Sequence, residues 1–407
     1  MQVTITADEY KDCRGYSDVE LELPTDRFSL ADALERARVP DGGYELHSFY
    51  DWPEFIKYAL TRAENKTLEE VNFLAHKVSE MDTDQLHIYE GILKLRFDSD
   101  IDHPMSMKEL INTAYNLKCF ELYPGVTDYQ ELGEIMDWIK KLPDEIVEML
   151  DPEKVGTSVC RDDQGIFIRE GYLFRSAPDG PEIYDGIHLP DQEYHHGGII
   201  SLRLERKDIF LDANTEVWLG VPAEKQKNSY NNTEVWLELP ADRQKIHQVL
   251  DFLGTSDLDV CMIVEMESIV PAMKDHLTGY EDIEKLNTLT ERIAAFPDSR
   301  TLAKYKAILM MEDCYDLDMV LDIINNLDCY DFDTQIMSPG HYAEYILKEA
   351  GFDPDDPAFC GFDFYDYGER QLQGSGYVAT AYGTVIRNDL PFILEYTKPP
   401  EQGMTMQ

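Results

Sequence analysis

The chain has 407 residues, with 80 Asp and Glu against 36 Lys and Arg, so its formal net charge is -44 and its pI is about 4.4. That imbalance excludes binding to nucleic-acid phosphates through a basic surface, which needs clustered cations to release counterions, and it disfavours an anionic membrane surface. A hydrophobic fraction of 43% and an aromatic fraction of 11% exclude an acidic disordered tail, and the length leaves room for two or three domains with cores of their own.

In chain order, alternating apolar residues predict strands at 3–6 and 19–23. Thr67 with Glu70 reads as a capping box opening a helix to about residue 80; Thr83 is expected to cap a second helix to about 95, and Ser106 with Glu109 to cap a third. Strands are expected at 166–174 and 199–204. Over 317–327, Leu317, Val320, Leu321, Ile324 and Leu327 recur at helical spacing and define a core face, which leaves Asp318 and Asp322 at i and i+4 on the solvated side. Ser338 and Pro339 supply an N-cap and a first-turn proline for a helix to about 350, and a last strand is expected at 377–385. Each half therefore reads strand-rich, then helical, then mixed, which is an α+β arrangement.

Seven cysteines, an odd number without a CxxC pair, argue for reduced thiols and against a disulfide framework or zinc ribbon. The N-terminus has no basic segment followed by an apolar one, and no apolar run reaches 18 residues, so a cytoplasmic protein is expected.

The two halves also share words. Asp18-Val-Glu-Leu-Glu-Leu-Pro-Thr-Asp-Arg27 returns as Glu234-Val-Trp-Leu-Glu-Leu-Pro-Ala-Asp-Arg243, Asn72 matches Asn287, Tyr89 matches Tyr305, Asn116 with Cys119 matches Asn326 with Cys329, and Gly171-Tyr172 pairs with Gly376-Tyr377. The matches keep their order, which predicts an internal duplication: copy one at 1–185, a connecting β-rich region at 186–231, copy two at 232–398 and a tail at 399–407. Within the connector, residues 214–226 nearly repeat 232–244.

The acidity is spread over both halves, with 42 acids and 19 bases in residues 1–200 and 38 and 17 in the rest. One stretch stands apart. From 307 to 369 the only base is Lys348, and the acids there include Asp313, Asp316, Asp318, Asp322, Asp328, Asp331, Asp333, Asp353, Asp355, Asp356, Asp363, Asp366 and Glu369. Tyr315, Tyr330, Phe332, Tyr342, Tyr345, Phe352, Phe359, Phe362, Phe364, Tyr365 and Tyr367 are interleaved with them, which predicts a folded acidic surface anchored by buried rings.

Catalytic and metal signatures are poor by comparison. Asp98, Asp100 and Asp102 with Ser106 and Glu109 imitate a calcium loop, but His103 and Pro104 stand near the turn that requires Gly, so an acidic loop before a capped helix is the better reading. His188, Glu193, His195 and His196 cluster in a loop that lacks a scaffold for a metal, and Asp353, Asp355 and Asp356, flanked by Pro354 and Pro357, suit Asx turns. The glycines of 368–376 have neither the spacing nor the Lys of a phosphate loop, and no catalytic motif is evident. No catalytic residue, metal or cofactor is therefore expected.

Duplex DNA carries one charge per roughly 1.7 Å, so 44 charges correspond to about 75 Å of duplex as an upper bound. Tyr330-Asp-Phe-Asp333, Ser338-Pro-Gly-His-Tyr342, Gly351-Phe-Asp-Pro-Asp-Asp-Pro-Ala-Phe359 and Phe364-Tyr-Asp-Tyr-Gly-Glu-Arg370, with Asn72 and Asn287, resemble ArdA-type antirestriction proteins, most clearly over 232–388. The resemblance implies an elongated multi-domain α+β chain that is not an enzyme: a DNA mimic, encoded on mobile genetic elements of Gram-positive gut bacteria, that occupies the DNA path of type I restriction-modification enzymes. Family members are usually homodimers, and two copies in one chain suggest an internal pseudo-dimer. CRISPR effectors, with similar basic channels, are the alternative target, and an acidic scaffold for a basic protein is the alternative without mimicry.

Overall fold

The computed structural model describes residues 1–11, 13, 16, 18–39, 43–99, 104–136, 141–178, 180–190, 198–206, 234–271, 273, 279–314 and 316–397. Its order is β1 (Gln2–Ala7), β2 (Val19–Glu22), α1 (Arg27–Arg36), β3 (Tyr44–Tyr50), α2 (Glu54–Arg62), α3 (Leu68–Ser79), α4 (Thr83–Ser99), α5 (Met107–Tyr115), β4 (Phe120–Pro124), α6 (Tyr129–Ile135), α7 (Asp144–Val147), α8 (Pro152–Asp163), β5 (Ile166–Ile168) and β6 (Gly171–Arg175). There follow β7 (Ile200–Arg206), β8 (Glu234–Leu239), α9 (Arg243–Leu253), β9 (Cys261–Ser268), α10 (Ile283–Ala294), α11 (Ser299–Glu312), α12 (Leu317–Asn325), β10 (Tyr330–Asp333), α13 (Pro339–Glu349), α14 (Phe364–Ser375), β11 (Val378–Thr380) and β12 (Gly383–Arg387). The fold is α+β, with helices beside small antiparallel sheets.

Much of the acidity is used to start helices. Asp26, Asp128, Asp151, Asp242, Asp282, Asp298, Asp316 and Asp363 each accept backbone N–H groups of a first helical turn. A carboxylate there satisfies orphan donors and meets the positive end of the helix dipole. The expected capping boxes Thr67/Glu70 and Ser106/Glu109 form. Thr83 does not cap α4: Asp82 accepts the Gln85 N–H at 2.8 Å while the Gln85 side chain accepts the Asp82 N–H at 3.0 Å, because a carboxylate one position earlier is the better acceptor. The strands expected at 166–174 and 377–385 each divide into a hairpin, β5–β6 and β11–β12.

Among the described residues, four three-stranded sheets have orders β2-β1-β3, β4-β6-β5, β8-β7-β9 and β10-β12-β11. Residues 200–206, expected in a connector, form the central strand of the third sheet. The chain packs as two compact units: one holds 1–5, 20–25 and 45–193, the other 6–19, 26–44 and 194–407. In the first unit, Leu68, Val71, Leu74, Leu93, Leu110 and Ile111 are buried between α3, α4 and α5. In the second, Leu202, Leu204, Leu237, Leu286, Ile308, Leu321 and Val385 belong to one cluster spanning sheets and helices.

The elements from β1 to β6 recur in the same order from β7 to β12, apart from α2 and α7. Positions matched in the sequence make matching contacts. Asn72 Oδ1 accepts the Thr25 N–H at 2.8 Å, and Asn287 Oδ1 accepts the Ala241 N–H at 2.7 Å. The Tyr89 hydroxyl donates to the Leu110 carbonyl, and Tyr305 to that of Val320. Asn116 Nδ2 donates to the carbonyls of Asn112 and Pro181, and Asn326 Nδ2 to those of Asp322 and Ile393. Gly171, matched in sequence to Gly376, shares its structural setting with Gly383 instead. Gly171 and Gly383 both open the central strand at left-handed φ, with a neighbouring carbonyl where a Cβ would stand, whereas Gly376 caps the C-terminus of α14.

Within the second unit, α1 is tied in by a buried ion cluster. Lys306 of α11, 3% exposed, donates to Asp32 at 2.7 Å and Glu35 at 2.6 Å; the Tyr382 hydroxyl donates to Asp32, and Arg36 reaches its other oxygen.

Candidate acidic surface

The base-poor stretch lies wholly in the second unit, and its elements present its acids in different ways. Asp313 ends α11 in the left-handed region at φ 47 and is exposed. Asp316 is also exposed and accepts the Asp318 N–H at the start of α12. On β10 the pleat alternates, so Tyr330 and Phe332 turn inward while Asp331 and Asp333 face solvent. Asp328 in the turn before β10 is exposed too.

The loop from α13 to α14 behaves as its prolines suggest. Asp353 accepts the Asp355 N–H at 3.1 Å and Asp356 accepts the Ala358 N–H at 2.8 Å, two Asx turns that fix all three carboxylates outward. Asp363 caps α14 by accepting the Asp366 N–H, and Glu369 is exposed one turn further on. Beneath them Phe359 packs against Phe352, Phe362 and Phe364, and Phe362 against Tyr367, most of them edge-to-face. The helices α13 and α14 cross closely, since Gly368 lies so near the Pro339 carbonyl that a Cβ would come to 1.7 Å. Rings and glycine together hold this acidic lobe on a rigid base.

Three of the expected surface carboxylates differ. Asp318 is half-buried and pairs with Lys285 of α10, a hydrogen bond that raises the Lys285 pKa. Asp366 is half-buried and pairs with Arg370 one turn along. Asp322 is not on the surface at all. It is 0% exposed, and its carboxylate accepts the N–H groups of Glu395, Tyr396 and Thr397 at 2.7 to 2.8 Å. Burial alone would raise its pKa, but those backbone donors outweigh it and the net shift is downward. Helical periodicity put Asp322 on the polar side of α12; the segment 393–397 then covers that side, a long-range contact that no local pattern records.

The anchoring rings are also less buried than expected: Phe352 and Phe362 remain partly exposed, as do Tyr345 and Tyr365. Tyr315 lies outside the described residues, as do Asp100, Asp102, His103, Glu193, His195, His196, residues 214–226 and the tail at 399–407. His188 makes a 2.9 Å contact with Asp185, and the glycines 368 and 374 lie within α14. Among the described residues no cluster of His, Cys, Asp and Glu has the arrangement of a metal site, and no helix is long and apolar enough to cross a membrane.

A second acidic region of the same unit escaped the sequence reading. A cavity of about 680 Å3 between α9 and the start of α10 is rimmed by Asp257, Asp259, Glu281, Asp282 and Glu284 over a floor of Ile246, Leu250 and Ile283. Its signal was the absence of Lys and Arg between Lys245 and Lys274. No protein-family model matches the chain, and no curated protein matches it.

Proposed function

We propose that the protein is a non-enzymatic DNA mimic of the ArdA kind that occupies the DNA-binding groove of a host restriction-modification enzyme, type I first, and acts in the cytoplasm of its host. The observation that carries this reading is the run of outward carboxylates on the second unit, from Asp313 through Asp331 and Asp356 to Glu369, with Lys348 as its single base. A cationic groove that neutralises phosphates would neutralise these carboxylates by the same charge complementarity, and electrostatic steering would make association fast. Fixed geometry supports mimicry over a loose acidic tail, because Asx turns, caps and packed rings hold the groups before binding. The recurrence of element order and of matched hydrogen bonds supports a tandem duplication, so that one chain supplies what a homodimer would.

The test is DNA cleavage by a purified type I enzyme in the presence of the full chain. Inhibition should fall as unlabelled duplex DNA is added, and Asp→Asn replacement together at 313, 328, 333, 355, 356 and 363 should weaken it about tenfold or more. Asn keeps the caps and turns and tolerates the left-handed φ at 313, so the readout is charge. Inhibition that duplex DNA does not displace would favour an acidic scaffold, and inhibition confined to an RNA-guided nuclease would move the target to CRISPR effectors.

A further inference from the structure

The first unit contains a cavity of about 230 Å3 in which bases outnumber acids, against the balance of the whole chain. Arg96 of α4, Lys108 and Glu109 of α5, Phe120 of β4, Arg175 at the end of β6, Gly180 and Glu182 line it. Three cations thus converge on one hollow in a protein with 80 acids.

The corresponding place in the second unit shows that this hollow is not a default of the architecture. Hydrogen bonds fix the correspondence. Asn116 Nδ2 donates to Pro181 O and Asn326 Nδ2 to Ile393 O; Asn112 accepts from the N–H groups of Ile183 and Tyr184, and Asp322 from those of Glu395 and Tyr396. Gly180 therefore stands where Phe392 stands. In the second unit the Phe392 ring fills the space, edge-on to Tyr330 with centroids 6.3 Å apart and under the Arg387 guanidinium at 4.9 Å. In the first unit there is no ring at 180. A Cβ there would come to 1.7 Å from Asn116 Oδ1, and Arg175 lies over Phe120 instead, at 4.8 Å. The charges are inverted as well. The Tyr89–Tyr305 register sets Arg96 against Glu312, which accepts a 2.7 Å hydrogen bond from the Tyr330 hydroxyl, and the Asn112–Asp322 register sets Lys108 against Asp318.

We propose that the first unit binds a small planar aromatic anion in this cavity. The ring takes the position that Phe392 takes in the other unit, edge-on to Phe120 and beneath Arg175, and the anionic group meets Arg96 and Lys108. Room is sufficient: an apolar cavity of about 150 Å3 holds benzene, and 230 Å3 leaves space for a charged substituent. Guanidinium groups suit both tasks, stacking on ring faces and pairing with carboxylate or phosphate. Lys108 pairs with Glu182 at 2.9 Å, but Glu182 is 61% exposed and such a pair contributes little, so an incoming anion displaces it at small cost. The anion is a phosphate, as in phenyl phosphate, or a carboxylate, as in benzoate.

Calorimetric titration of the full chain with phenyl phosphate, benzoate and inorganic phosphate tests this. One of the two aromatic probes should saturate a single site, and the tighter one names the anion. Inorganic phosphate, which lacks a ring, should bind about tenfold more weakly or less. Arg96→Glu with Lys108→Asp, the residues of the other unit, should weaken the aromatic probe about tenfold or more without changing the melting temperature. If that pair of changes disturbs folding, Arg175→Gln at an exposed strand end is read in its place. The proposal is overturned if neither aromatic probe saturates, if inorganic phosphate binds as tightly, or if a folded variant binds like the wild type.

Discussion

Asp322 illustrates how a single carboxylate in an acidic chain can serve the fold and not the surface. Its two oxygens take three successive backbone N–H groups of 395–397, and Asn112 takes two at the corresponding place in the first unit. The folded pKa lies below the ordinary value, so the stabilisation is complete above an unfolded carboxylate pKa of about 3.9 and is lost as pH falls through the folded one. Asp322→Asn should cost about 1–3 kcal/mol in urea unfolding at neutral pH, because one N–H loses its acceptor and the others lose a charged one. Below the folded pKa the wild type is also uncharged there, and the two proteins should converge. A constant difference from neutral to acidic pH would mean that shape, not charge, sets the contact. Charge reversal at Asp322 would break this segment's anchor, so a test of the acidic surface has to leave that residue alone.

At the scale of elements, close approach and ion pairing decide what packs. Gly368→Ala should destabilise by about 1–3 kcal/mol, since its methyl would meet the Pro339 carbonyl and force α13 from α14. Gly374→Ala in the same helix meets nothing within 4 Å and should stabilise by about 0.5–1 kcal/mol. Melting curves of the two variants should therefore move in opposite directions. Lys306→Met should cost about 3 kcal/mol or more, because the Asp32 and Glu35 carboxylates would lose their shared partner; a loss under 1 kcal/mol in chemical denaturation would show that Arg36 suffices. The capping boxes, the Asx turns and the core face of α12 were legible in the sequence because each depends on residues within a few positions of one another. The place of α1, the burial of Asp322 and the shared setting of Gly171 and Gly383 were not, since each is set by partners from about 70 to more than 270 residues away or by strand register. The rings of 352–367 were legible as a cluster, but their partial exposure depends on how a small lobe closes over them.

For the molecule as a whole, net charge has to be divided between carboxylates that hold the fold and carboxylates that face outward. Asp26, Asp242, Asp282 and Asp298 work as caps, Asp32 and Asp322 are buried with partners, and Asp313, Asp328, Asp331, Asp353, Asp355 and Glu369 are exposed. The count of 44 therefore overstates the charges one partner can meet. If a target groove neutralises six to ten of them, the dependence of affinity on salt should be steep but shallower than a full set of charges would give. By analogy with phosphate contacts, raising salt from about 50 to 200 mM would cost on the order of 10³ to 10⁵ in affinity for that many contacts. The Asp→Asn set should then reduce the slope of log affinity against log salt roughly in proportion to the carboxylates removed, while Asp322→Asn should leave the slope unchanged. Affinity measured across a salt series for these three proteins separates the two populations of acids. Equal slopes for the wild type and the Asn set would place the target's contacts elsewhere on the chain, with the acid-rimmed cavity between α9 and α10 next to be tested.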